Sequence, residues 1–428
     1  MIPPLPHTVY IANSIVWGDS TMEPSRGKSI CVPFDSEEHY AACVADPESF
    51  RQHLTEVFDQ HPELFPARLD EGFVLHDKSR SLKQQLMLRR IELKATAGVF
   101  LVRPSFLMPY MVGRTEAVEK ALYLRHWGVP FDALVYVFGR NAMYWYRAEI
   151  ALGRPAIVGS TVKQPEKLPG HVLADEKHTW ALGQEVYVPT TVGGGCILGA
   201  TVTEAASADA LEAAYGEFAQ EAHALSPTYS PKTVCTDGWE GTQSAWRSLF
   251  PTVCIILCFL HSVVKIAKRC GRDRATRTRI LARVWAAYNS CTRAQFSQRL
   301  RRLREWANAR PLKGALRQMV LKLCSKGPQF ARAYRFPGAH RTSNALDRLM
   351  NHQDRRLYAM RYLHGTPDAT RLAVRAMALQ WNFHPYGARS RRNDPTRRSP
   401  FHDLNGFEYH PNWLHNLLIA SSMGGHKL

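Results

Sequence analysis

Apolar and polar positions alternate with two different periodicities along this chain, that of a helix in some segments and that of a strand in others. The helical period predicts helices at residues 47–58 and 80–94. Residues 1 to about 50 are rich in Pro, Ser and Asp and are predicted to be irregular. The apolar stretch 98–112 is interrupted by Pro104 and Pro109, which favours an extended linker or an edge element.

Three short helical patterns come next, at residues 115–126, 131–137 and 141–152, with Gly139 in the turn before the last one. A helix, a glycine turn and a second helix are the layout of a helix-turn-helix DNA-binding unit. An ordinary three-helix bundle has the same spacing, so the sequence leaves both interpretations open. The residues that the last helix would present to a DNA groove are Arg140, Asn141, Tyr144 and Arg147.

The Pro and Gly residues of segment 154–170 predict a linker. After this segment, the pattern of apolar residues has the periodicity of strands. The predicted elements are strands at 171–175, 185–191 and 196–203, a helix at 208–225 with Ser207 as its N-cap, a strand at 232–236, a helix at 241–250 and a strand at 253–258. This order indicates a mixed α/β sheet that begins with a β-hairpin. It matches the order of elements in the ribonuclease H-like core.

Two acidic residues end predicted strands of this sheet: Asp175 the first strand and Asp237 the fourth. In a ribonuclease H-like order these strands are neighbours, so the two carboxylates could share a metal ion. Glu176 would point to the opposite face if the first strand continued. A single Asp at a strand end is more often a turn residue, and Asp237-Gly238 alone has that appearance.

A third acid is expected from a helix that packs back on the sheet. The helical pattern at 341–360 begins with Thr342 and Ser343, which are suitable N-cap residues, and contains Asp347 and Asp354 two turns apart. Composition does not separate these two acids. Three carboxylates from separate elements are the ligands that Mg²⁺ prefers in enzymes of phosphoryl transfer.

The charge of the chain is strongly positive, +18 with a pI of about 9.6. Between Ser262 and Arg341 there are 21 Lys or Arg against two acids, Asp273 and Glu305. Aromatic residues are interleaved with these cations, as backbone neutralisation and base stacking require. A solvated set of helices is the alternative; the density of charge favours a nucleic-acid partner.

Two tracts carry a resemblance to a known family: TDGWEGTQSAWRSLFP at 236–251 and ILCFLH at 256–261, which contains Cys258 and His261. Together they resemble DDE transposases of the Mutator-like and related bacterial insertion-sequence groups. Those enzymes also end a helical insertion with a Thr-x-Asn-x-x-acid motif, matched here by residues 342–347. The resemblance covers about residues 171–385. It selects Asp347 over Asp354, although the family usually has Glu at that position.

The resemblance implies a DDE-type transposase, here with Asp175, Asp237 and Asp347 as catalytic and metal-binding residues. Two Mg²⁺ or Mn²⁺ ions per active site would support cleavage of DNA at terminal inverted repeats and joining of the freed 3′-hydroxyl to target DNA. Two ligands are too few for zinc, so His261 is expected to position DNA or a carboxylate and Cys258 to pack. The insertion residues expected to contact DNA are Lys265, Lys268, Arg269 and Trp306, although a Trp at helical spacing with Leu303 is more often a core residue.

The expected architecture is therefore α/β: a ribonuclease H-like mixed sheet with an all-α insertion and a helical N-terminal DNA-binding region. The expected domains are an N-terminal region of irregular structure and helices at 1–112, a helix-turn-helix at 113–155, a catalytic core at 171–261 and 341–388, a basic helical insertion at 262–340 and a basic tail at 389–428. Double-stranded DNA, both transposon ends and target, is the expected partner, bound by a homodimer or larger assembly.

Two other functions remain open. A domesticated, catalytically idle descendant would act as a sequence-specific DNA-binding regulator, and a structure-specific nuclease could share the core. Nine irregularly spaced Cys and no signal-like or membrane-spanning segment predict reduced thiols, no membrane association and an intracellular location with the DNA, in the cytoplasm or nucleoid of a prokaryotic host.

Overall fold

The computed structural model describes residues 28–426 of the chain, apart from 311 and 313. Within these residues the protein is mixed α/β and has two sheets, one of four strands and one of five. Among the residues described, no helix combines the length and the apolarity needed to cross a membrane. Of the stretch 1–50 that was predicted to be irregular, the first 27 residues lie outside the described part.

The four-stranded sheet comes from the N-terminal part of the chain. Its strands are β1 (Ser29–Val32), β2 (Phe73–Ser81), β3 (Leu86–Leu93) and β4 (Val99–Pro104), in the spatial order β1-β4-β3-β2. Strand β1 is parallel to β4, and the other two pairings are antiparallel. Two helices, α1 (Glu37–Ala45) and α2 (Pro47–Gln60), lie between β1 and β2 in the sequence.

Several predictions for this region are wrong. Residues 80–94 are not a helix, because they form the end of β2 and the whole of β3. Residues 98–112 contain β4, which is hydrogen-bonded to strands on both sides and is therefore not an edge. Residues 28–46 are not irregular, since they contain β1 and α1. The helix predicted at 47–58 is confirmed as α2.

The three helices predicted around residues 115–152 are confirmed. They are α3 (Thr115–His126), α4 (Phe131–Phe138) and α5 (Ala142–Ala151). Helix α5 begins after Asn141, whose side chain accepts a hydrogen bond from a backbone amide of the first turn. On the buried face of α5, the Glu149 carboxylate accepts hydrogen bonds from Arg125 on α3 and from Arg356 much later in the chain. This ion network fixes the three helices against the rest of the protein.

The prediction of a linker at 154–170 is wrong for its middle part, which forms the buried helix α6 (Ile157–Thr161). A β-carbon on Gly159 would lie 1.6 Å from the carbonyl oxygen of Gly425. The backbones therefore approach each other so closely that only glycine fits at this position.

The five-stranded sheet matches the element order that the sequence predicts. Its strands are β5 (His171–Ala181), β6 (Gln184–Gly193), β7 (Cys196–Ala200), β8 (Thr233–Thr236) and β9 (Cys254–Leu257), in the spatial order β7-β6-β5-β8-β9. The pairs β5–β6 and β6–β7 are antiparallel, whereas β5–β8 and β8–β9 are parallel. The expected adjacency of the first and fourth strands is thus confirmed.

Helices cover both faces of this sheet, because successive residues of a strand point to opposite sides. The covering helices are α7 (Ala208–Leu225) and α8 (Glu240–Leu249) on one face and, later in the chain, α14 (Asn344–Ala359) and α15 (Pro367–Phe383) on the other. Ala174 and Val234 belong to the apolar cluster with α7 and α8, and Leu173 and Cys235 to the cluster with α14 and α15. The predicted N-cap of α7, Ser207, is confirmed.

Between β9 and α14 the chain leaves the sheet and forms a helical unit with its own apolar core. Its helices are α9 (Phe259–Cys270), α10 (Arg274–Tyr288), α11 (Arg293–Ala309), α12 (Gly314–Ser325) and α13 (Gly327–Phe330). Residues such as Ile280, Leu303 and Val320 form the buried centre of this unit. Most of the Lys and Arg side chains are left on its surface.

The C-terminal segment 389–428 is not a tail in its described part. It contains α17 (Pro400–Asn405) and α18 (Trp413–Ala420), preceded by the single turn α16 (Ala388–Arg391). Helix α18 is buried along its whole length and contacts β1 and α3. The last helix therefore completes the core around the first strand.

Candidate metal centre

The register of β5 and β8 places Asp175 and Asp237 on the same face of the sheet. Leu173 pairs with Cys235 across the two parallel strands, and each acid follows two residues later. Because side-chain direction repeats every second residue, both carboxylates share the face of Leu173 and Cys235. This is the juxtaposition that the sequence predicts.

Asp175 does not end its strand, contrary to the prediction, because β5 continues to Ala181. Strand β8 ends beside Asp175. The carboxylate therefore lies where β5 no longer has a hydrogen-bonded strand on that side. Its side chain is only 17% exposed, and one oxygen accepts a hydrogen bond from the Glu176 amide at 3.0 Å. Burial, with the charges of Asp237 and Glu176 and against that of His261, raises the pKa of Asp175 to about 7.

Asp237 is held by a turn that leaves part of its carboxylate free. Oδ1 accepts a hydrogen bond from the Trp239 backbone amide at 2.7 Å. Gly238, between them, has φ +98°, a conformation that favours glycine. The Asp-Gly pair thus has a turn role as well as a place beside Asp175.

His261 joins the two acids from the first turn of α9. Its Nε2 lies 3.9 Å from Asp175 Oδ2, and ligand atoms of Asp175, Asp237 and His261 all lie within 4.8 Å of one another. The preceding Cys258 is fixed by its backbone amide, which donates to the Thr236 carbonyl at 2.7 Å. The Cys-x-x-His turn therefore aims the imidazole back at the ends of β5 and β8.

A cysteine pair lies behind the histidine. Interaction with the Cys235 thiol, and then with His261 and Ser343, holds the pKa of Cys258 well below its usual range. Interaction with Cys258, followed by the charges of Asp175 and Asp237, raises the pKa of His261 to about 9 against the effect of burial. The groups around His261 therefore favour its protonated form in the absence of a metal ion, and a bound ion would replace that proton. The nine cysteines are all free, as predicted.

Asp347 lies near this group without belonging to it. The Ser343 hydroxyl donates to its carboxylate at 3.3 Å, and the Ser343 amide donates to Cys258 Sγ at 3.2 Å. Burial, and then the charge of Cys258, raises the pKa of Asp347. Asp347 is not among the three residues whose ligand atoms lie within 4.8 Å of one another.

The competing acid, Asp354, has a different partner. Its carboxylate forms an ion pair with Lys177 at 2.6 Å. Lys177 is two residues after Asp175 on β5 and so shares its face. Asp354 is therefore paired with a residue beyond Asp175 on β5. Asp347, in contrast, is linked to Cys258 through Ser343, which contacts both residues.

The donor set suits a hard divalent cation. Two carboxylates and one imidazole can supply three ligands, and a carboxyl whose ionisation is opposed by burial and by neighbouring carboxylates is stabilised by an added cation. Mn²⁺ accepts imidazole more readily than Mg²⁺ does. The three residues would hold one such ion.

The residues predicted to read DNA lie at the start of α5. Arg140, Asn141 and Arg147 are exposed, and Asn141 is occupied as the N-cap. Tyr144 is half-buried, with the Arg140 guanidinium 5.5 Å from its ring centre. Arg140 and Arg147 are thus accessible to a polyanion.

In the insertion, Lys265, Lys268 and Arg269 are exposed along α9. Trp306 is half-buried against the apolar core of the helical unit, and the Arg283 guanidinium covers its ring at 4.5 Å. Stacking of Trp306 on a base would therefore require Arg283 to move. Trp306 thus has the core position that the sequence analysis gave as the alternative to DNA stacking.

Three further residues near the site carry no signal in the sequence that distinguishes them from their neighbours. Glu176 does face away from Asp175, as expected for a continuing strand, and accepts hydrogen bonds from Tyr215 and Thr242 at 2.7 Å each. Lys177 and Lys326 approach the acids from β5 and from the turn after α12. Lys326 alone of the three is distant from the acids in the sequence and is brought there by the tertiary structure.

No family model matches the chain, and no curated protein is significantly similar to it. The chemistry of the site therefore has to be inferred from its own residues.

Proposed function

We propose that the protein is a DDE-type transposase with a ribonuclease H-like core, which cleaves DNA at transposon ends and joins them to target DNA. The observation that carries the proposal is the meeting of Asp175 and Asp237 on adjacent parallel strands, on one face of a sheet ordered β7-β6-β5-β8-β9. Such a sheet, with an antiparallel hairpin on one side of its first strand, is the one expected for that core.

The proposed roles follow from the contacts. Asp175 and Asp237 would hold a divalent ion, with His261 as a third ligand or as the cation that orients Asp175. Asp347 would complete the set from α14 when DNA and metal are bound. A divalent ion there would supply Lewis-acid stabilisation of the charge that develops on a phosphoryl oxygen.

The charge of the helical unit supports DNA as the substrate. Its Lys and Arg residues are mostly exposed, and the unit begins and ends next to the acids, since the Phe259 amide donates to the Arg341 carbonyl at 3.0 Å. Neutralisation of phosphates by such a surface supplies affinity that is independent of base sequence. In this proposal, Arg140 and Arg147, which are exposed at the start of α5, would recognise the sequence of the transposon ends. Because two ends must be joined, a dimer or larger assembly is expected.

One observation favours a second function, that of a catalytically idle DNA-binding regulator. Asp347 is outside the close group of Asp175, Asp237 and His261. If α14 stays in this position when DNA is bound, only two acids are available for metal, and the protein would bind DNA without cutting it.

Incubation of the purified protein with its flanking inverted repeats and MgCl₂ or MnCl₂ distinguishes the two functions. A transposase gives strand cleavage and joined products, and Asp237→Asn binds the same DNA but gives no products. Asp347→Asn should abolish cleavage whereas Asp354→Asn, its matched control on the same helix, should retain it. Binding without products by the wild-type protein in both metals would establish the regulator instead.

A further inference from the structure

Three lysines of the helical unit converge on the side of Asp237. Lys265 lies on α9 one helical turn after His261, and so on the same face of that helix. Lys322 lies in the last turn of α12, which packs on α9, and Lys326 follows it four residues later. The Lys326 ammonium is 4.0 Å from the position that a β-carbon on Gly238 would occupy. We call these three residues the lysine cluster.

The cluster has an unbalanced positive charge. Among the described residues, none of its three members has a carboxylate within 4.0 Å, although the exposed Arg51 and Arg68 and the half-buried Lys177 do. Lys326 is half-buried. Burial, and then the charges of Lys322 and Lys265, lowers the pKa of Lys326 against the attraction of Asp237.

No structural role accounts for the position of Lys326. It precedes the single-turn helix α13, but its side chain makes no capping hydrogen bond there. Its ammonium group has no hydrogen-bond partner among the described residues, and Lys265 and Lys322 are exposed on the same side. A group of anionic oxygens placed between the three ammonium groups would relieve their mutual repulsion.

We propose that the lysine cluster is the phosphate-binding half of the active site, and that Lys326 contacts the phosphodiester to be cleaved while Lys265 and Lys322 contact its neighbours on the same strand. The inference rests on the proposed function, because it takes the acids to be the place of cleavage. A phosphate held by Lys326 lies next to Asp237, where its non-bridging oxygens can reach both a lysine and an ion held by the acids.

The first test is DNA binding as a function of salt, measured with a fluorescent duplex of arbitrary sequence. Lys326→Gln removes the charge and keeps a polar, unbranched side chain, so it should lower the slope of log affinity against log salt by about 0.9, the value for one lost phosphate contact. Lys326→Arg should keep the slope. The matched control is Lys232→Ala, an exposed lysine just before β8, at the opposite end of that strand from Asp237.

The second test is the single-turnover cleavage rate with the protein in saturating excess over DNA, where weaker binding no longer matters. Loss of one electrostatic contact to the reacting phosphate should reduce this rate on the order of 100-fold in Lys326→Gln, with partial rescue by Lys326→Arg and no change in Lys232→Ala.

The outcomes separate the two proposals. A salt slope of Lys326→Gln equal to that of Lys232→Ala overturns the lysine cluster, whether or not the wild-type protein cleaves DNA. A lowered slope with a normal cleavage rate places the contact away from the cleaved phosphate and also overturns the inference. Absence of cleavage by the wild-type protein with both metals refutes the proposed function, while the salt slope still decides on the phosphate contact.

Discussion

Replacement of Asp175 by Asn should stabilise the metal-free protein. The Asp175 carboxyl has a pKa of about 7 instead of 3.8, chiefly because it is buried. In the unfolded chain the same group ionises near its ordinary value, so ionisation within the fold costs free energy at every pH above that value. About three pH units correspond to about 4 kcal/mol at pH 8. The amide of Asn is neutral and can still accept the hydrogen bond from the Glu176 amide.

The stabilisation should depend on pH in a defined direction. A raised pKa on an acid means that the destabilisation is absent below pH 3.8, grows as pH rises and is complete above pH 7. Asp175→Asn should therefore gain about 4 kcal/mol at pH 8 and only about 2 kcal/mol at pH 5. With MnCl₂ or MgCl₂ added, the wild-type protein should become more stable than Asp175→Asn. The bound ion stabilises the wild-type fold, whereas the variant lacks one of the ligands.

Urea unfolding in EDTA, followed at pH 8 and pH 5 through tryptophan fluorescence, measures both effects. The matched control is Asp354→Asn, which removes an acid of the same face that is 48% exposed and paired with Lys177. Loss of such a surface pair should cost at most about 1 kcal/mol, with little dependence on pH in this range. The account of the site is refuted if Asp175→Asn is no more stable than the wild-type protein at pH 8, or if its gain is the same at both pH values.

Three other stability predictions use the same unfolding assay. Glu149→Gln leaves two buried guanidinium groups without their carboxylate and should cost about 3–5 kcal/mol. Burial lowers the pKa of His352 to about 3 and that of His384 to about 4, so stability should be complete above pH 6.5 and fall by about 1.4 kcal/mol per histidine at pH 5.5. Gly159→Ala should prevent the close packing against Gly425 and cost at least about 3 kcal/mol.

Glu149→Gln and Gly159→Ala each have a control that makes the same chemical change at an exposed or open position, Glu185→Gln and Gly314→Ala. His352→Gln should remove one histidine's share of the pH dependence, and its control is His364→Gln at an exposed position. Exposed substitutions of this kind should stay within about 0.5 kcal/mol of the wild-type protein, and Gly314→Ala, at the start of α12, should be neutral or slightly stabilising. Equal effects of a variant and its control would contradict the burial argument for that site.

The five-stranded sheet was predictable because its strands are short apolar runs separated by glycine and by one strongly amphipathic helix. The end of β5 was missed because residues 176–180 are polar or exposed beyond the end of β8. Strand β3 was mistaken for a helix because a buried arginine, Arg89, interrupts its alternation and bonds to the Val44 carbonyl. The buried helix α18 was hidden by the basic residues that precede it.

In the candidate site, the order of the strands predicted that Asp175 and Asp237 meet, and the resemblance to a known family pointed to the Cys-x-x-His turn. The sequence had no access to distances between elements that are far apart in the chain. The position of Asp347 depends on how α14 packs on β5, and that of the lysine cluster on how α12 packs on α9. Such packing follows from many apolar contacts between distant parts of the chain, and no local pattern records it.

The closure of the helical unit explains how so much positive charge can be added beside the acids without disturbing the sheet. The chain leaves the sheet after Cys258 and returns at Arg341, and the backbone bond between Phe259 and Arg341 joins the two ends. The unit folds around its own core and packs on the sheet beside β9, whose Leu257 belongs to that core. Because the junction of the two ends also contains the Cys258 contact to Ser343, a shift of the helical unit on DNA would be transmitted to the start of α14. On the proposed function, the helix that carries Asp347 would thus be coupled to the surface that binds DNA, and DNA binding would be connected with assembly of the metal site.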